Sequence, residues 1–208
     1  MTNSSERLIV FDLDGTLVDS QKALLEAHEE AWTSVGLVRP SAEKILELIG
    51  LPLDHIMRTL DPNQDHALLV EAYQRAYKRT SESYESLFEG IPDLLNRRFR
   101  AAVATGKSQI GAERAVRRHG LCDRFELVLG GNSVPRPKPF PDMLTHIMER
   151  AGTQDLVMIG DTTYDLEMAQ AAGVPAIGVS WGHHTTERLE EWAPVVDTVS
   201  ALTALLSV

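Results

Sequence analysis

The stretch VFDLDGTLVD, residues 10–19, decides how the rest of the chain is read. Four apolar residues, Leu8 to Phe11, run straight into Asp12 and Asp14 with only Leu13 between them, and the turn signal Gly15-Thr16 follows. Apolar on both faces, the run predicts a strand over 7–13 of the kind buried in a parallel sheet. A buried strand that ends in paired negative charge is costly unless a cation or a phosphoryl group is meant to sit there.

Outward from that strand the texture changes twice. Between Asp19 and about Phe88 no strand is expected, and helical patterns dominate: 20–35, 41–49, 53–60 and 65–84. Serine or aspartate stands at several of the starts, and Gly36 and Gly50 at two of the stops. After Gly90-Ile91-Pro92 strands and helices alternate. Strands are expected at 101–104, 125–129, 156–159 and 176–179, and helices at 108–119, 140–150, 164–172 and 201–206. Asn96–Arg100 reads as a truncated turn before the second strand. The pattern predicts an α/β fold: a Rossmann-like parallel sheet, its first strand separated from the other four by an all-helical insert. The boundaries are 1–18 and 89–208 for the α/β core and 19–88 for the helical unit.

In such a sheet, ligands bind at the carboxyl ends of the strands. The first strand delivers Asp12 and Asp14 there, and the second Thr105-Gly106-Lys107-Ser108. The third is followed by a Gly130-Gly131 loop and Lys138, and the fourth ends in Gly160-Asp161-Thr162-Thr163-Tyr164-Asp165. Four aspartates in one pocket repel one another, and all-oxygen donors of this number favour Mg²⁺. Lys138, the Thr105 hydroxyl and the amides of Gly106 and Lys107 at a helix start make an anion cradle. Metal and cradle around an aspartate suggest phosphoryl transfer. Asp12 would be the nucleophile, and Asp14 would protonate the leaving alcohol and then deprotonate the attacking water.

These residues resemble the four motifs of the haloacid dehalogenase superfamily: Asp12-Leu-Asp-Gly-Thr-Leu17, Val103-Ala-Thr105-Gly, Lys138 and Gly160-Asp-x-x-x-Asp165. The insert is similar to the cap of subfamily I, and Lys138-Pro-x-Pro-Asp-Met143 with GVSWGHH to the phosphoglycolate phosphatase-like group. The resemblance implies Asp12 as nucleophile and a metal held by Asp12, Asp14 (through its backbone carbonyl), Asp161 and Asp165. Thr105 and Lys138 would hold phosphate. Dehalogenase and phosphonatase branches lack the second aspartate, so Asp14 implies a phosphatase or, as the alternative, a phosphomutase acting on a small phosphorylated metabolite.

Bland readings compete at several positions. Ala104-Thr-Gly-Lys-Ser108 looks like the end of a nucleotide-binding P-loop, but Ala101 stands where that pattern needs glycine. His183-His184 reads as a solvated loop pair, because a hard-oxygen site needs no imidazole. Arg97, Arg98, Arg100, Arg117 and Arg118 read as solvated, and Arg136 as structural or phosphate-steering. Selectivity is expected from the insert: the Ile49–Leu53 break should face the site, with Lys44 and Arg58 as nearby cations.

With 208 residues, 43% of them hydrophobic, the chain can bury one substantial core or a core and a small second unit. A formal net charge of -10 argues against nucleic acid as a partner. No apolar stretch has membrane-span length, and one cysteine, Cys122, permits no intrachain disulfide and reads as a partly buried small hydrophobe. A cytoplasmic protein is the expectation.

Overall fold

The computed structural model describes residues 7–63 and 65–206. In chain order, β1 (Leu8–Phe11) and β2 (Val18–Asp19) lead into α1 (Gln21–Ser34), α2 (Ala42–Leu48), α3 (Leu53–Leu60) and α4 (His66–Tyr84). Then come β3 (Ser86–Leu87), α5 (Ile91–Leu95), β4 (Arg100–Thr105), α6 (Gln109–Arg118), β5 (Leu127–Gly130) and α7 (Asp142–Ala151). The chain continues through β6 (Leu156–Gly160), α8 (Thr163–Ala172), β7 (Ala176–Val179), α9 (Thr186–Glu190), β8 (Val195–Val196) and α10 (Val199–Leu206).

Six strands form one sheet in the order β5-β4-β1-β6-β7-β8, and every neighbouring pair is parallel. β1 lies centrally, pairing Leu8 with both Arg100 and Leu156 and Phe11 with both Val103 and Ile159. Its four residues are all buried because both faces are covered. Ile9 and Phe11 pack with Leu94, Val116 and Leu202 on the face covered by α5, α6 and α10. Leu8 and Val10 pack with Leu144, Ile147 and Met168 on the face covered by α7 and α8.

Helices α1 to α4 carry a third apolar cluster of their own. Leu24, Ala27 and Ala31 on α1 meet Leu69, Ala72 and Ala76 on α4, each set spaced by three or four residues along one helix face. Ser41 caps α2 by accepting from the Lys44 amide, and Asp65 caps α4 by accepting from those of Ala67 and Leu68.

The expected α/β core and helical insert are both present, with differences at the edges of the pattern. The sheet has six strands rather than five, since β8 is a two-residue edge strand too short to show periodicity. Between Asp19 and Phe88, where no strand was expected, Ser86 and Leu87 pair antiparallel with Asp19 and Val18, tying the two ends of the insert into a ribbon. Helices α5 and α9 have five residues each and were not expected. β5 begins two residues later than the apolar run of 125–129, and α7 starts at Asp142 because Pro141 occupies its N-cap.

Candidate active site

The turn after β1 is built around Asp161. The Leu17 and Val18 amides both donate to the Leu13 carbonyl, and Gly15 takes φ 79°. A Cβ on Gly15 would stand 2.1 Å from an Asp161 carboxylate oxygen, so glycine is needed both for the conformation and for the space. The Thr16 hydroxyl donates to Asp161 Oδ1 at 2.7 Å, and the His183 amide to Oδ2 at 2.9 Å. Asp12 is fixed from below by its own amide, which donates to the Ile159 carbonyl of β6 at 3.0 Å.

Asp12, Asp161 and Asp165 each bring a carboxylate oxygen within 4.8 Å of the others, and all three are buried. Lys138 Nζ stands between two of them, 2.8 Å from Asp12 Oδ1 and 2.5 Å from Asp165 Oδ1. The other oxygen of Asp165 accepts from the Thr162 amide and hydroxyl, closing a capping box at the start of α8. Burial pushes the Asp12 carboxyl up to about 7, against the pull of Lys138 and with the push of Asp165 and Asp14. Burial and the charges of Asp12 and Asp165 raise Asp161 well above the usual range too. Lys138 is raised despite its burial, because Asp12 and Asp165 favour its charged form.

One ammonium does not balance three buried carboxylates, and Asp12 Oδ2 has no hydrogen-bond partner among the described residues. Clustered, oxygen-only and partly unsatisfied, these donors fit a small hard cation. Asp14 stands apart from that trio. Its Oδ2 is 2.9 Å from Lys107 Nζ, which also donates to the Tyr77 hydroxyl at 2.6 Å and lies 4.0 Å from Glu85 Oε1. Thr105, buried at the end of β4, accepts from the Lys107 amide at 3.3 Å.

Sequence reasoning missed the supports of this edge. Glu85 follows α4, its carboxylate wholly covered, and receives the Tyr77 hydroxyl, Arg118 and, at 3.6 Å, His119. Burial alone would raise its pKa; His119, Lys107, Tyr77 and Arg118 together hold it down at about 2. The partners come from α4 and from both ends of the next βα unit, so no local pattern announces them. Arg118 is therefore not merely solvated.

Several other expectations are corrected. Of the two readings of Arg136, the structural one agrees with its pairing to Asp142 at 2.8 Å on an exposed face, and the phosphate-steering one does not, since Arg136 does not reach the cluster. The pair 183–184 is not a solvated loop: His184 is buried, accepting from the Thr163 amide through Nδ1 and meeting the Glu47 carbonyl with Nε2. Lys44 is exposed and Arg58 spends its charge on Asp54, so neither lines the site. Cys122 is exposed.

The 49–53 break does face the site. Gly50 and Leu51 line a cavity of about 440 Å³ between the insert and the sheet edge, whose floor holds Asp12, Asp14, Thr105 and Lys107. The backbone there touches the core directly, since a Cβ on Gly106 would stand 2.3 Å from the Gly50 carbonyl oxygen.

Comparison with known proteins agrees with this geometry. A model of the haloacid dehalogenase-like hydrolases matches residues 9–179. A probable phosphatase, IndB, of Dickeya dadantii is 36% identical over 93% of this chain and 90% of its own length. A phosphoglycolate phosphatase of Vibrio vulnificus is 30% identical over 97% of this chain and 96% of its own. The solved structure of protein tyrosine kinase A (PtkA) from Mycobacterium tuberculosis superposes with a TM-score of 0.82, at 28% identity, covering 98% of this chain and 99% of that one. The chain belongs to the haloacid dehalogenase-like hydrolases, on the phosphatase side of that family.

Proposed function

We propose that the protein is a Mg²⁺-dependent phosphatase that hydrolyses a small phosphorylated metabolite through an aspartyl-phosphate on Asp12. The observation that carries this reading is Asp12 itself, buried at the carboxyl edge of β1 with Lys138 2.8 Å from its Oδ1 and no hydrogen-bond partner on its Oδ2 among the described residues. A carboxylate so held is available to attack rather than committed to structure.

The phosphoryl group would be held by Lys138, the Thr105 hydroxyl and the amides of Gly106 and Lys107. An Asp12 oxygen attacks phosphorus; the P–O bond to the leaving alcohol breaks as Asp14 gives that oxygen its proton. Asp14 then takes a proton from water, whose oxygen attacks phosphorus, and the Asp12–phosphorus bond breaks to release phosphate. Lys107 would hold Asp14 in place between the two steps, itself oriented by Tyr77 and Glu85. Mg²⁺ held by Asp12, Asp161, Asp165 and the backbone carbonyl of Asp14 would neutralise the charge of cluster and phosphoryl group.

Residues 19–88 would act as a cap over the 1–18 and 89–208 core, hinged at the ribbon of Val18–Asp19 and Ser86–Leu87. Closure would exclude bulk water from the aspartyl-phosphate and set the Gly50–Pro52 loop against the leaving group. A lone cysteine, and no helix among the described residues long and apolar enough to cross a membrane, support work on a small metabolite in the cytoplasm.

The test is incubation with p-nitrophenyl phosphate and Mg²⁺, followed by acid quench and mass spectrometry. Phosphate release and a phosphoryl adduct on Asp12 are expected. Steady transfer of the phosphoryl group to a second sugar or protein, without phosphate release, would instead mark a mutase or kinase.

A further inference from the structure

The cavity above Asp12 changes character with height. Its floor is charged, but the walls supplied by the insert are Leu24, Ile49, Leu51, Ile56 and Tyr73, all buried. The cations of its rim, Arg75, Lys78 and Arg114, are exposed, and Arg75 is paired with Glu71 at 2.8 Å. Lys107, the cation of the floor, is engaged by Asp14 and Tyr77.

Set into these walls, against the ring of Tyr73, is an imidazole. His28 is fully buried, its ring centroid 4.8 Å from that of Tyr73, and neither ring nitrogen has a hydrogen-bond partner. Burial, helped by the charge of Arg39, lowers its pKa to about 3, so at neutral pH the ring offers one N–H donor and one bare acceptor. A buried polar ring with nothing to bond is costly to keep, and burying a polar group without a partner is uncommon in folded proteins.

Resting on the phosphatase reading above, we infer that this chamber takes a phosphomonoester whose leaving alcohol carries an apolar ring or chain of several carbons, ending in a hydrogen-bonding group that His28 reads. About 440 Å³ lies in the range that encloses a whole drug-sized ligand, roughly 300–1,000 Å³. A short anionic leaving group, such as that of a two-carbon acid, would leave the apolar walls facing water and would find no uncommitted buried cation among the lining residues. An uncharged body with an aromatic or aliphatic surface gains most from these walls, because it removes apolar area from water on both sides. The hydroxyl or amide at its far end would satisfy the imidazole at the same moment.

The ranking is read from binding, so that it does not depend on turnover. Calorimetry would use the holoenzyme with Mg²⁺ and three phosphonates that cannot be hydrolysed: phosphonoacetate, 3-phenylpropylphosphonate and its 4-hydroxyphenyl counterpart. Both aryl compounds should bind at least ten-fold tighter than phosphonoacetate. The hydroxyl should add about ten-fold, as expected for one buried hydrogen bond. His28→Phe should abolish that hydroxyl preference while aryl binding persists, and His28→Gln should restore part of it. Should His28→Phe fail to fold, His28→Gln and Ile56→Trp decide, the latter filling the chamber and shifting the ranking toward phosphonoacetate. Phosphonoacetate binding tightest, or a hydroxyl preference that no His28 variant changes, overturns the assignment. Hydrolysis of p-nitrophenyl phosphate, measured in parallel, tests the phosphatase reading separately.

Discussion

The two walls of the cavity are built on opposite principles. On the sheet side, charges are buried and most are held by a named partner: Thr16 and His183 on Asp161, Thr162 on Asp165, Lys138 between Asp12 and Asp165. On the insert side, the surface is mostly apolar, and the His28 ring buried in it has no hydrogen-bond partner among the described residues. Fixed dipoles and charges suit chemistry that is the same for every phosphate ester, because they need no reorganisation as charge moves. Apolar walls discriminate by size and shape, which is what differs between leaving groups.

Removing the proposed nucleophile should have the largest effect. Asp12→Asn is expected to lower kcat by about a thousand-fold or more with an unchanged circular dichroism spectrum. Activity near that of the wild type would end the covalent mechanism. Chelation should come next: activity lost with EDTA should return with Mg²⁺ and not with Ca²⁺, whose larger and looser shell misplaces the phosphoryl group. Mg²⁺ should also raise Tm, since it binds the folded cluster and relieves its repulsion. A chelated enzyme that stays fully active would mean the acid cluster serves structure alone. Lys138→Ala, lining no part of the insert wall, should depress kcat/KM for all substrates alike by about a hundred-fold. Leu51→Ala should instead alter their ranking. The reverse outcome would break the division between the two walls.

This contrast also explains what was legible in the sequence. Asp12, Asp14, Thr105 and Asp161 sit at or just past strand ends, where a switch from apolar run to polar residue is visible locally. Lys138 and Asp165 follow in the loop after β5 and the first turn of α8, and the sheet topology gathers these ends at one edge. The insert pocket has no such signature. Tyr73, Tyr77 and His28 lie on helix faces where an aromatic or a lone histidine reads as core, and only the crossing of α1 over α4 brings them above Asp12. Glu85 was invisible for a related reason. Its partners, Tyr77, Arg118 and His119, are 8 to 34 residues away, and salt bridges of that span leave no periodicity. The ribbon β2–β3 is two residues long on each side, below what any alternation can reveal.

Glu85 offers a test of how far the core's rigidity extends into the insert. Its carboxyl is held near 2 in the folded protein, below the ordinary 4.5, so the folded state binds fewer protons than the unfolded one. The stabilisation is therefore present above about pH 4.5 and lost as pH falls toward 2. Glu85→Gln should cost roughly 2–3 kcal/mol at pH 7, a gap that narrows steadily in urea titrations from pH 5 to pH 3. It should also lower kcat by about ten-fold through the loosened Lys107. A stability gap independent of pH would show that Glu85 acts by packing rather than charge.

The smallest effect should come from the contacts that hold the insert down. The Tyr164 hydroxyl donates to the Glu47 carbonyl at 3.0 Å, and His184 Nε2 meets the same carbonyl at 3.1 Å, both reaching from the core to the end of α2. Tyr164→Phe removes one of these two bonds and leaves the ring packed edge-on to His184. A single exposed hydrogen bond of this kind contributes about 0.5–1 kcal/mol, so the closed arrangement should lose roughly two- to five-fold in population relative to an open one. If closure is what brings Leu51 against the leaving group, KM for a bulky ester should rise by that factor. KM for a small generic ester, which touches the core wall alone, should stay within experimental scatter. Equal changes for both esters would mean that the insert does not move as a unit, and that the two walls form one rigid site.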